Sequence, residues 1–242
     1  MRTALLIARK ELASFFDSML AYLVITAFLG ITGFFTWWFG TDVFIRGVAD
    51  LATFFHVANW SLFILIPALT MRTLAEERKT GTLDLLLTRR ATPGSVVLGK
   101  FMACLALIAL TLACTLPYYA TVSWLGPMDH GAVICGYLGL LLMSAFYIAL
   151  GILASGLTAN QVAAYVIALS AMALFHFGTS VVAANTVGAT GRLFRYLSTG
   201  THFENLGRGV IDSRDLIFFI TFTWAALLLA ARQPARTGAR HA

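Results

Sequence analysis

Charge is scarce in this chain. Asp, Glu, Lys and Arg together supply 12% of its 242 residues, about half the share of a soluble domain. Between Gly131 and Gly191 there is none at all. Apolar residues reach 59% instead, and several charge-free runs exceed 18 residues, the length at which a helix crosses a hydrocarbon core about 30 Å thick. A water-soluble domain is excluded on that ground. Short, alternating, turn-punctuated segments are also missing, which excludes a spanning β-barrel. Cys104, Cys114 and Cys135 all fall inside apolar runs, so they read as core filler and say nothing about disulfides or redox compartment. No H-E-x-x-H occurs, and His56, His130, His176, His202 and His241 are scattered, against a metal site. No internal repeat is visible, against an inverted-repeat secondary transporter.

What is present is an all-α, polytopic membrane pattern. Residues 2 to 17 read as an interfacial helix, with Thr3, Lys10, Ser14 and Asp17 on one face and Leu5, Ala8, Leu12, Phe15 and Phe16 on the other. A plain extension of the first span is the alternative. A cleavable signal is not expected, because Glu11 and Asp17 precede an apolar run that is too long. Six spans are expected at about 18–39, 51–71, 97–119, 132–155, 162–183 and 216–231, within one domain covering 1–242. Lys100 is expected to snorkel to the headgroups at the start of the third. The sixth is short, and spans only if Asp215 and Arg232 snorkel or the bilayer thins.

The net charge of +6 follows membrane orientation rather than nucleic acid. Six spans place both termini and the 72–96 loop on one side, which then holds twelve Lys and Arg residues against five (Arg46, Arg192, Arg195, Arg208 and Arg214) on the other. The positive-inside rule makes the richer side cytoplasmic.

One segment breaks the apolar monotony. E-E-R-K-T-G-T-L-D-L-L-L-T-R-R, residues 76 to 90, carries seven charges in fifteen residues together with Leu83, Leu85, Leu86 and Leu87. The spacing predicts a helix leaving the membrane, an interruption at Gly81, and a second short helix capped by Thr82 with Asp84 in its first turn. Two readings of these residues stand side by side: a two-helix knob on the cytoplasmic surface, or an amphipathic loop lying on headgroups. G-S-V-V-L-G-K-F, from Gly94 to Phe101, misses the phosphate-loop pattern at its last position, and no strand precedes it, so nucleotide binding is not expected. His176 is an ionisable side chain deep in the fifth span, hence a pathway candidate. The plainer alternative is a neutral imidazole bonded to a neighbouring helix.

R-T-L-A-E-E-R-K-T-G-T-L-D-L-L-L-T-R-R, followed by V-L-G-K-F, resembles the cytoplasmic loop of ABC-2-type transporter permeases. The matching residues are Glu76, Glu77, Arg78, Gly81, Thr82, Leu83, Asp84, Leu85, Leu86, Gly99 and Lys100. Arg90 stands where relatives often carry proline, with Pro93 displaced further on. An N-terminal A-R-K-E-L, T-A-N-Q between spans four and five, and H-F-E-N-L-G-R-G-V-I-D-S-R-D before the last span extend the resemblance over the chain. The last of these is closest to the branch that includes gliding-motility-type permeases.

The resemblance implies a permease subunit of an ATP-driven exporter in a bacterial inner membrane. ATP and Mg²⁺ would sit on two separate ATP-binding subunits, with none in this chain. A second permease subunit would complete the pathway. Glu76 to Leu87 would be the coupling helix, docking through Glu76, Glu77, Arg78, Gly81, Thr82, Leu83, Asp84, Leu86 and Leu87. Within the extracytoplasmic segment 184–215, residues 192–212 would form short re-entrant helices gating the outer exit, with His202, Phe203, Glu204, Arg208, Gly209 and Asp212 in the gate. The competing classes are a membrane-embedded enzyme using His176, or His202 and Glu204, and a non-transporting scaffold.

Overall fold

The computed structural model describes residues 2–38, 50–81, 92–210 and 212–238. The first helix, α1 (Arg2–Asp17), lies along α5 (Pro93–Ala113). It buries Ala4 and Phe15 on one stripe, while Leu5 and Leu6 are 62% and 66% exposed. The expected single apolar face is thus split. One stripe packs on protein, and Leu5 and Leu6 are left for the bilayer. The close approach depends on Gly99, where a β-carbon would stand 2.8 Å from the Ala4 carbonyl oxygen and from Ile7. The chain then turns sharply at Met19, a non-glycine residue held at φ 59°, into α2 (Leu20–Trp37).

Buried positions on α2 recur at Val24, Phe28, Thr32 and Thr36, the spacing of one helical face. Thr32 and Thr36 fit that apolar stripe because each hydroxyl donates to the carbonyl four residues back, at 2.7 and 2.6 Å. The helix α3 (Ala52–Thr70) runs through Pro67 and is followed by the short α4 (Ala75–Thr80). Thr92 caps α5 by accepting from the Ser95 N–H, with Pro93 in the first turn where its missing donor is harmless. Beyond α5 the third span continues through α6 (Leu116–Leu125).

The axis of the bundle is α7 (His130–Leu157), capped by Asp129, whose carboxylate accepts from the Gly131 and Ala132 N–H groups. It packs against α3, α5 and three later helices: α8 (Gln161–Ala173), α11 (Thr199–Gly207) and α12 (Ser213–Gly238). In lipid no hydrophobic force draws helices together, so close contact needs small residues. Gly151 supplies one, because a β-carbon there would overlap the Thr70 hydroxyl of α3. The fifth span comprises α8 (Gln161–Ala173), a π-turn (Leu174–Gly178) and α9 (Thr179–Asn185). Two short helices follow, α10 (Ala189–Leu197) and α11 (Thr199–Gly207), and then α12 (Ser213–Gly238). Among the described residues, six helices are long and apolar enough to cross a membrane, and the fold is all-helical.

Candidate functional site

One end of the bundle gathers α1, α4, the start of α5 and the ends of α7 and α12. Leu74 and Gln233 meet there over Gly156. The order A-E-E-R-K-T-G explains α4: acids in the first turn, bases in the last, and Gly81 at φ +70° closing it in the left-handed conformation. Its start is tied to α7. The Ser155 hydroxyl accepts from the Leu74 and Ala75 N–H groups at 3.0 Å each and donates to the Met71 carbonyl at 3.0 Å. Those three bonds use the full capacity of a hydroxyl. Ser155→Ala would strand two buried N–H groups at a cost of about 1–3 kcal/mol, read as a lower thermal midpoint of the purified protein. An unchanged midpoint would mean that these donors have another partner.

Lys100 is the second tie. Its Nζ lies 2.8 Å from Glu11 Oε1 of α1 and 2.8 Å from Glu77 Oε1 of α4. The lysine side chain is 2% exposed, against 21% and 17% for the two carboxylates. It therefore points into protein and does not snorkel to headgroups. Two acids from flanking helices reach it first, and the Gly99 crossing brings α1 close enough for one of them. A cavity of about 260 Å³ opens beside the cluster, lined also by Arg72, Glu76 and Ser14. Glu76 is exposed and Arg78 half-buried. Thr82, Leu83, Asp84, Leu85, Leu86 and Leu87 lie outside the described residues.

At the other end, α10 and α11 form a hairpin that dips into the bundle. Nine residues of α11 span about 13 Å. Its tip at Thr199 bonds to the Phe175 carbonyl at 3.2 Å, and its exit at Gly209 (φ 81°) packs on Ala132 at the start of α7. Tyr147 of α7 joins the tip to the π-turn: its hydroxyl lies 2.7 Å from His176 Nδ1 and 3.3 Å from Thr199 Oγ1. His176 therefore bonds a neighbouring helix, and it also lines a groove.

His202 faces inward. Its Nδ1 lies 2.5 Å from Asp215 Oδ1, its Nε2 lies 2.7 Å from the Tyr196 carbonyl, and its ring stacks on Phe218 at 4.2 Å. Asp215 is 2% exposed, so it does not snorkel; the imidazole of the hairpin supplies the partner that headgroups would have supplied. Phe203 packs against Gly139 of α7. Glu204 lies two residues on from His202 and faces the groove, so the pair an enzyme would need together is split across α11. Arg208 also lines the groove. Asp212 Oδ1 accepts from the Arg214 N–H at 2.9 Å, at the start of α12.

The groove lies between α3, the fifth span and α11, with a volume of about 440 Å³. Two of its lining residues, Asn59 and Ser198, each carry a buried side-chain oxygen, Oδ1 and Oγ, without a hydrogen-bond partner. Such an atom costs about 1–3 kcal/mol each. The family resemblance pointed to the 192–212 segment and to Glu77. The sequence reading missed Ser155, Glu11 as a partner of Lys100, Tyr147, and Asp215 as a partner of His202; the available signal was a polar side chain in or beside an apolar run.

Six helices among the described residues that are long and apolar enough to cross a membrane make this a multi-pass membrane protein. The family described as "ABC-2 family transporter protein" matches residues 45–231, and the chain belongs to that family. Comparison with curated proteins returned no match.

Proposed function

We propose that this chain is the membrane half of an ATP-driven exporter, with α4 as the mounted base of its coupling helix. The mounting of α4 carries the proposal. Ser155 holds its first turn to α7, and Lys100 holds Glu77 to α5 while gripping Glu11 of α1. A loop resting on headgroups needs no fixed base, whereas a handle pushed by a partner transmits motion only if its base is fixed. On this reading the α4 end is cytoplasmic, in a bacterial inner membrane. Two separate ATP-binding subunits bind there and carry ATP and Mg²⁺. A second permease copy or relative completes the pathway, and the sunken hairpin gates the outer exit.

The test is association. Leu83 and Leu86 would enter an apolar cleft of the ATPase, where one buried leucine is worth about 2–3 kcal/mol, or a 30- to 150-fold change in docking. Leu83→Asp with Leu86→Asp should release the ATPase on co-purification and abolish transport, leaving the permease monodisperse. Full association and full transport in that double variant would reduce residues 76–90 to a charged loop on the membrane.

A further inference from the structure

The first helix of the hairpin, α10, carries a face that the bundle does not use. It begins after Gly188 (φ 87°) and folds back along α9, the last turns of the fifth span. Gly191 permits that approach, since a β-carbon there would overlap the Thr186 carbonyl. Thr199, just past the end of α10, bonds to the Phe175 carbonyl at 3.2 Å. From Phe175 to Asn185 a helix rises about 15 Å, so α10 lies beside the final third to half of that span.

Its exposed residues are sorted by chemistry. Arg195, Arg192, Tyr196, Ala189 and Leu193 follow one another in that order around about 160° of the helix, and each is exposed. Leu193 is 57% and Tyr196 43% accessible. On the other side Gly191 is buried, and Phe194 and Leu197 are half-buried. The exposed arc is therefore basic along one edge and apolar along the other. No acid occurs in α10, and among the described residues neither guanidinium has an ion-pair or hydrogen-bond partner. A basic edge beside an apolar edge, at the end of a span, is the pattern of a helix lying in a headgroup layer.

We infer that this face of α10 docks on anionic phospholipid, with Leu193 and Tyr196 set against acyl chains and Arg192 and Arg195 reaching the phosphates. The planar fork of a guanidinium matches phosphate oxygens, and its aliphatic stem lies along apolar surface while the head reaches water. A zwitterionic headgroup offers the same phosphate but offsets it with an ammonium. A second copy of this chain is the occupant that charge opposes. A two-fold contact sets the same patch on both sides, which brings like arginines face to face with no acid on α10 between them. The inference goes beyond the export reading and takes from it only the leaflet, the outer one.

The test uses the full chain in nanodiscs of phosphatidylcholine and phosphatidylglycerol in equal parts, without any ATPase. A background lacking native cysteines carries Leu193→Cys, labelled with a bimane fluorophore. Bromine, which quenches on contact, is placed on the acyl chains of one lipid and then of the other. One cation near an anionic surface raises local occupancy about fivefold. Brominated phosphatidylglycerol should therefore quench at least twofold more than brominated phosphatidylcholine. That excess should vanish in Arg192→Gln with Arg195→Gln, a variant that should unfold at the parent's midpoint because neither side chain has a protein partner to lose. Equal quenching by the two lipids, or an excess that survives the double substitution, overturns the inference. So does an absence of quenching by either lipid, which means that protein or water covers the face. Both leaflets of the disc carry bromine, so the result does not depend on orientation, and the docking test of Leu83 and Leu86 stands on its own.

Discussion

Lys100→Met should unseat two helices at once. The substitution keeps the length of the side chain and removes the one ammonium that Glu11 and Glu77 share at 2.8 Å. Two carboxylates, each about four-fifths buried by side-chain exposure, then face each other with only the weaker influence of Lys10 on Glu77 to offset them. Breaking a buried pair from one side costs about 3–5 kcal/mol, most of it the penalty on what is left behind. Thermal unfolding should therefore shift strongly downward, and limited trypsin should cut sooner at Arg78 and Lys79. Adding Glu11→Gln and Glu77→Gln should recover most of the stability, since neutral amides can bond to one another. That triple variant should still fail to couple hydrolysis to transport. Glu77→Gln alone should uncouple more than it releases the ATPase. If Lys100→Met unfolds like the parent, the cluster does not hold the base of the handle.

The second large effect belongs to the hairpin. His202→Leu leaves the Asp215 carboxylate in a site only 2% exposed, with its Oδ2 already lacking a partner. A loss of about 1–3 kcal/mol is expected from the buried acid left without its hydrogen-bond partner, this time at the opposite end of the bundle. His202→Leu with Asp215→Leu should restore overall stability while the hairpin stays unhooked from α12. A cysteine at Ser198 reads that difference in a background lacking native cysteines, because the position is fully buried and its hydroxyl bonds to nothing. Labelling by a thiol reagent should be slow in the parent and at least tenfold faster in both variants, as expected when a local unit opens. Equal rates in all three would mean that the pair does not fasten the hairpin.

The spans were legible because their cause is local. A charge-free run reports lipid wherever the rest of the chain goes, and Asp129, Asn160 and Gly81 end or begin helices by their own chemistry. The ties between spans were not legible, for a shared reason. Lys100 and Asp215 both stand near the end of an apolar run, where headgroup water and a buried counter-charge satisfy the side chain equally well. Choosing between them needs the crossing of α1 over Gly99 and the dip of α11, contacts that join residues 89 and 13 positions apart. Leu5 and Leu6 failed similarly: their apolar character was plain, but a helix between protein and lipid has two apolar faces, and periodicity cannot say which is which. At the far end, sequence pointed to His202 and Glu204 together, whereas two steps along a helix turn them to opposite sides.

Ser155 and Gly139 stand sixteen residues apart on one unbroken helix, about 24 Å along its axis. At one of these points α7 grips the base of α4, and at the other it carries Phe203 and Leu206 of the hairpin. A stiff rod held at both ends behaves as a seesaw. Tilted by about 5° around its middle, each end of a 24 Å segment travels about 1 Å, in opposite directions. If a partner drives α4 as proposed, a squeeze at that end and a release at the hairpin would be a single displacement, with no separate timing device to keep them in step.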